Sequence, residues 1–129
     1  MKRIAFLLVF VCLLSGCRKE ETPVHRVVTR VQVQYSRQED TIRRVYTQPA
    51  NMQSVLTYLR ILQPHGPAVP KDTYDTTCEI TLQYSDGSDR VYYQLGNRYI
   101  RRDEGGWEYI DSSRATLLYP MLLLLPSDT

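Results

Sequence analysis

The sequence predicts an α+β fold in which an antiparallel sheet, made of an N-terminal hairpin plus a four-stranded meander, packs with two helices on one face. Three observations predict it. Side chains alternate between apolar and polar from residue 27 to 36, apolar residues recur at helical spacing from 49 to 62, and short alternating runs separated by glycine turns fill 76 to 110.

Val27, Thr29, Val31, Val33 and Tyr35 alternate with Val28, Arg30, Gln32, Gln34 and Ser36, a period of two that reads as a half-buried strand. Residues 36 to 40 supply a turn, and Thr41 to Thr47 a second, less regular strand. Pro49 suits a helix's first turn, and Met52, Val55, Leu56, Leu59 and Leu62 then line one helical face. Gln63 to Asp75, with Pro64, Gly66, Pro67 and Pro70, reads as an irregular surface connection.

The meander follows from its turns. A two-residue turn at Asp86-Gly87 sets Leu82 against Val91 and Ile80 against Tyr93. A second at Gly96-Asn97 sets Tyr93 against Ile100, and the Asp103 to Gly106 loop sets Ile100 against Tyr109. This register puts Cys78, Ile80, Leu82, Val91, Tyr93, Leu95, Ile100 and Tyr109 on one face. The other face then carries Glu79, Thr81, Gln83, Arg90, Tyr92, Gln94, Tyr99, Arg101 and Glu108, with Arg101 opposite Glu108. Asp111 or Ser112 caps a last helix through Ala115, Leu118 and Leu122, which Pro120 kinks or divides.

The 129 residues allow one domain. A hydrophobic content of 43%, with 23% charged residues, excludes a disordered chain. The N-terminus is a targeting segment: Met1-Lys2-Arg3 precedes an apolar run from Ile4 to Leu14, too short to span a bilayer. Its removal takes away Lys2 and Arg3 and cancels the formal charge of +2, so nucleic acid is not an expected partner.

Leu14-Ser15-Gly16-Cys17 resembles the lipobox of bacterial lipoproteins. The resemblance covers residues 1 to 17 and implies that the Cys17 sulfur takes a diacylglyceryl group before a peptidase cuts ahead of it. Residues 1–16 would then be a signal peptide, 17–23 the lipidated cysteine and a short tether, and 24–129 a single α+β domain. The membrane becomes a partner through this N-terminal lipid, because two or three acyl chains anchor stably where one does not. Arg18 in place of the Asp that marks inner-membrane retention favours the outer membrane in a two-membrane cell; the general expectation is an extracytoplasmic, lipid-anchored protein at a cell membrane or outer membrane. With Cys12 leaving and Cys17 consumed, Cys78 has no disulfide partner within the chain.

Catalytic chemistry has thin support. Cys78, His65 and Asp75 are the residue types of a thiol hydrolase, but the register puts Cys78 on the apolar face, where a thiol is inert. His25 and His65 lack the spaced partners of a metal site, and Glu79 with Glu108 is a weak acid/base pair, so neither a metal nor another cofactor is expected. Trp107 reads as a cap on the core edge. The most suggestive surface is the exposed face bearing Arg90, Tyr92, Tyr99 and Arg101, because tyrosine and arginine join flat contact area to directional donors. A protein, peptide or cell-surface polymer could lie there. The leading expectation is a non-catalytic binding or structural module; an inhibitor of an exported hydrolase, inserting the Gln63 to Asp75 loop, and a small hydrolase using Cys78 are the alternatives.

Overall fold

The computed structural model describes residues 26–70 and 74–128. The expected targeting segment, lipobox and tether therefore lie outside the described residues. The elements are β1 (Val28–Arg37), β2 (Asp40–Tyr46), α1 (Pro49–Ile61), β3 (Thr76–Tyr84), β4 (Asp89–Leu95), β5 (Tyr99–Arg102), β6 (Glu108–Tyr109), α2 (Ser112–Ala115) and α3 (Leu118–Leu124). All six strands join one antiparallel sheet in the order β2-β1-β3-β4-β5-β6, and the fold is α+β as expected.

The helices cover one face, here called inner. Val31, Val33, Tyr35, Tyr46, Cys78, Ile80, Leu82 and Ile100 from the sheet meet Val55, Tyr58, Leu62, Ala115, Leu118 and Leu122 in the buried core. At ~25 cal/mol per Å² of apolar surface removed from water, this layer is the principal source of stability. The alternation of β1 holds from Val31 onward. Before it a bulge between Val28 and Arg30 reverses the parity, leaving Val27 and Thr29 exposed while Val28 packs on the core.

The last helix is divided into two short pieces, α2 and α3, as expected from Pro120, whose ring cannot sit over a helical Thr116 carbonyl four residues back. The break falls at Thr116 and Leu117, and Pro120 sits in the first turn of α3, where a missing N–H costs no hydrogen bond. Asp111 caps α2 as expected, its Oδ1 accepting from the Ser113 and Arg114 amides. α1 has no cap from its own Gln48. Asp128 serves instead: its Oδ2 accepts the Thr47 and Gln48 amides at 2.9 Å, and its Oδ1 accepts from Asn51 at 2.6 Å. The Gln48 amide is the main reason that the Asp128 carboxyl is held below its ordinary pKa.

A proline-containing segment covers the β6 edge of the sheet, and another caps one end of the β2 edge. On β6, His65 and Ala68 donate to the Tyr109 and Trp107 carbonyls, and Tyr109 donates to Gly66. On β2, Val45 bonds the Ser127 hydroxyl and its carbonyl accepts the Asp128 amide. A covered edge such as β6 offers no row of free amides to a passing strand.

The meander register departs from expectation. Gly87 donates to the Tyr84 carbonyl, Tyr84 donates to Ser88, and Gly87 has φ +88°. The loop thus holds three residues, a turn closed by a left-handed glycine, rather than two. That one residue pairs Ile80 with Tyr92 and Leu82 with Arg90, turning every β4 side chain over. The Gly96 to Arg98 loop also holds three residues and pairs Leu95 with Tyr99, which restores β5, so Ile100 points inward. In β6, Glu108 rather than Tyr109 lies opposite Ile100, a second reversal. Arg90, Tyr92, Gln94 and Glu108 are therefore inner-face residues, and Val91, Tyr93, Leu95 and Tyr109 outer-face ones.

Gln94 shows why the reversed strand is tolerated. It is buried, and its Oε1 accepts from the Tyr58 hydroxyl at 2.6 Å while its Nε2 donates to the Gly96 carbonyl at 2.9 Å. A buried amide so satisfied avoids the desolvation cost of an orphan.

Candidate binding surface on the outer sheet face

Outer-face side chains stand in lateral rows that cross the strands. In the central row Arg43, Gln34, Glu79, Tyr93 and Arg101 are successive register partners. Beside it run Thr41, Ser36, Thr77, Leu95, Tyr99 and Tyr109. The face has two halves: hydroxyls, amides and charges on β2, β1 and β3, then apolar and aromatic groups on β4, β5 and β6.

The aromatic half centres on Arg101. Its guanidinium lies 4.8 Å from the Tyr93 ring centre and 5.0 Å from that of Trp107, so two rings hold one cation. The Arg101 Nε is buried and has no hydrogen-bond partner. The ion pairs among the described residues are Arg90 with Asp103 and Arg114 with Asp111, which leaves Glu79 and Arg101 outside any pair. A hollow of about 270 Å³ opens here, lined by Gln34, Thr77, Glu79, Tyr93, Arg101 and Trp107. Next to it Tyr99 meets Tyr74 edge-on at 5.6 Å and Tyr109 at 5.4 Å, and Tyr109 stacks with His65 at 6.3 Å.

The four residues singled out in the sequence do not share a face. Tyr99 and Arg101 are outer. Arg90 and Tyr92 are inner, displaced by the longer Gly87 turn. Arg90 pairs with Asp103 at 3.6 Å, and Tyr92 lines a cleft of about 570 Å³ with Leu59, Pro64, Pro67, Ile100 and Trp107. Trp107 touches that cleft and also covers Arg101, rather than only capping the core edge. Tyr93, Trp107 and Tyr109 are the outer-face residues missed in the sequence. The signal that could have found Tyr93 is Gly87, which also fits a three-residue loop; Tyr109 follows from the separate shift between β5 and β6.

The residues of the thiol-hydrolase idea lie apart. Cys78 is buried on the inner face, and desolvation foremost, with the Glu79 charge second, pushes its thiol up to about 12. His65 is exposed, its Nδ1 within hydrogen-bond reach of the Gln63 carbonyl and its ring against outer-face Tyr109. Among the described residues no group of His, Cys, Asp and Glu could hold a metal ion. The Pro-rich segment is bonded along β6 from His65 to Ala68, and residues 71–73 of it are outside the described residues.

No protein-family model, curated protein or solved structure matches this chain.

Proposed function

We propose that this chain is an extracytoplasmic lipoprotein, anchored to a bacterial membrane by lipid on Cys17, whose domain binds a partner protein or cell-surface polymer on the outer face of β4, β5 and β6 without catalysing a reaction. The observation that carries the binding part is the reversal of β4. A strand that buries Gln94 and turns Val91, Tyr93 and Leu95 outward spends apolar side chains on a face that the helices do not cover. Apolar and aromatic groups gathered on an uncovered face are the ordinary mark of an interaction surface. Tyr93, Arg101 and Trp107 are also the residue types that dominate binding energetics. An open row, rather than an enclosed cavity, suits an extended or flat partner. The anchoring part is supported by Leu14-Ser15-Gly16-Cys17 behind a charged start and a short apolar run.

Two measurements test the two parts separately. Growth of the host with labelled palmitate, followed by mass spectrometry of the Cys17 peptide, should find acyl chains that Cys17→Ala abolishes; an unmodified Met1 terminus overturns the anchor. Crosslinking on intact cells should recover a specific partner from the parent chain and from the outer-face control Thr81→Ala. Capture should fall at least tenfold with Tyr93→Ala plus Trp107→Ala, as expected for loss of two hot-spot aromatics. Equal capture by that double variant overturns the surface.

A further inference from the structure

α3 is apolar around its whole circumference, yet the domain covers only part of it. Leu118 and Leu122 are buried against the sheet, whereas Leu117, Leu123 and Leu124 are 52%, 55% and 78% exposed, with Pro120 exposed between them. Leu117, Pro120 and Leu124 fall at helical spacing, so the exposed groups form a stripe along one side. From residue 112 to 127 Arg114 is the one charged residue. A helix that is apolar all round belongs in a core or against lipid, and this one has a core on one side.

The fold fixes where the stripe lies relative to the tether. Tyr35 and Arg37, at the end of β1, hold Tyr119 near the start of α3. Val31, near the start of β1, pairs with Tyr46, whose hydroxyl donates to the Leu125 carbonyl at 2.6 Å. α3 therefore runs antiparallel to β1, and Leu123 and Leu124 lie at the end of the sheet where the chain enters from the tether. The nine Cα-to-Cα steps from Cys17 to Arg26 reach at most roughly 30 Å. A domain on so short a leash keeps that end at the membrane surface. Two guanidiniums flank α3: Arg37 lies 6.0 Å from the Tyr119 ring centre, and Arg44 donates to the Leu122 carbonyl at 3.0 Å, with Asp40 the carboxylate beside Arg37.

We infer that the Leu117, Pro120, Leu123 and Leu124 stripe of α3 rests on the phospholipid bilayer that holds the lipid anchor. This rests on the anchoring reading. It gives the domain an orientation: the helix layer faces the bilayer, and the outer sheet face with Arg101 points away from it, toward partners farther out.

Nitroxide labels on the full chain, purified from host membranes and reconstituted into phosphatidylethanolamine and phosphatidylglycerol vesicles, test the orientation. One label is attached at Leu124→Cys and one at Thr81→Cys on the outer face; buried Cys78 stays unlabelled. The ratio of collision with oxygen to collision with an aqueous nickel chelate should be several-fold higher at 124 than at 81. Equal ratios overturn the inference. Shielding of the 124 label from both reagents, with a dimer mass by light scattering, also overturns it and assigns the stripe to a second copy of the chain. Mass spectrometry of the Cys17 peptide in the same sample reads the anchor. If Cys17 is unmodified, that result alone overturns the anchor, while the collision ratio at 124 reports docking by itself, so docking and lipidation fail separately.

Discussion

β3 and β4 are adjacent strands of similar composition that use their side chains in opposite ways. β3 turns Cys78, Ile80 and Leu82 into the core and leaves Glu79 and Thr81 outside. β4 turns Arg90, Tyr92 and Gln94 inward and Val91, Tyr93 and Leu95 outward. The difference teaches that the core here ends within the sheet. β1 and β3 turn apolar side chains to the helices, while β4 turns Arg90 and Gln94 inward, held by Asp103 and Tyr58, and turns apolar side chains outward. Tyr58 marks the boundary: its hydroxyl stays buried to hold Gln94, and desolvation, its largest influence, drives the phenol pKa far above the ordinary value.

The contrast is sharpest in the effect of truncation. Ile80→Ala should cost about 2–5 kcal/mol in urea denaturation, because it opens a cavity in packed core. Leu95→Ala, one strand away and outward, should cost less than about 1 kcal/mol. Comparable losses at the two sites would break the distinction. Tyr58→Phe comes next, at about 1–3 kcal/mol, since it orphans a buried amide oxygen. Adding Gln94→Leu should recover part of that loss, and additive losses in the double variant would show that the two groups act independently.

Gly87→Ala should cost about 1–2 kcal/mol, the penalty of a side chain in the left-handed region, because space around the glycine is open and only its φ of +88° resists. No loss would mean that the turn does not hold the three-residue geometry on which the β4 reversal depends. The smallest effect on stability, and the cleanest on parity, is thiol labelling. At pH 8 the native chain's Cys78 should resist a thiol reagent, while a cysteine placed next door by Glu79→Cys reacts freely. Burial raises the folded-state pKa of Cys78 from 9.0 to about 12. Its contribution to stability is thus complete below 9.0 and is lost as pH rises from there toward about 12, a sign that alkaline denaturation of Cys78→Ala against the parent checks.

Sequence periodicity made the β1 half of the molecule legible, because Val31, Val33 and Tyr35 alternate with polar residues and only one register buries them. α1 was legible from Pro49 and the spacing of Val55 and Leu62, although Tyr58 in the core was missed, since a tyrosine can be buried only where the fold supplies a partner for its hydroxyl. The meander was legible as strands and turns but not as faces. Asp86-Gly87 fits both a two-residue and a three-residue loop, and the choice between them depends on whether Gln94 finds Tyr58 across the core. That contact joins residues 36 apart in sequence. The candidate site inherited the same error, so Tyr99 and Arg101 were placed correctly while Arg90 and Tyr92 exchanged places with Val91 and Tyr93.

Asp128 bonds the start of α1 and, through its amide, the edge of β2, some 80 residues upstream. The first helix and the first hairpin thus remain unfinished until the far end of the chain has been made. Closure of this kind is slow and late, because the loop that those hydrogen bonds close spans some 80 residues and its entropy is lost before the contacts can form.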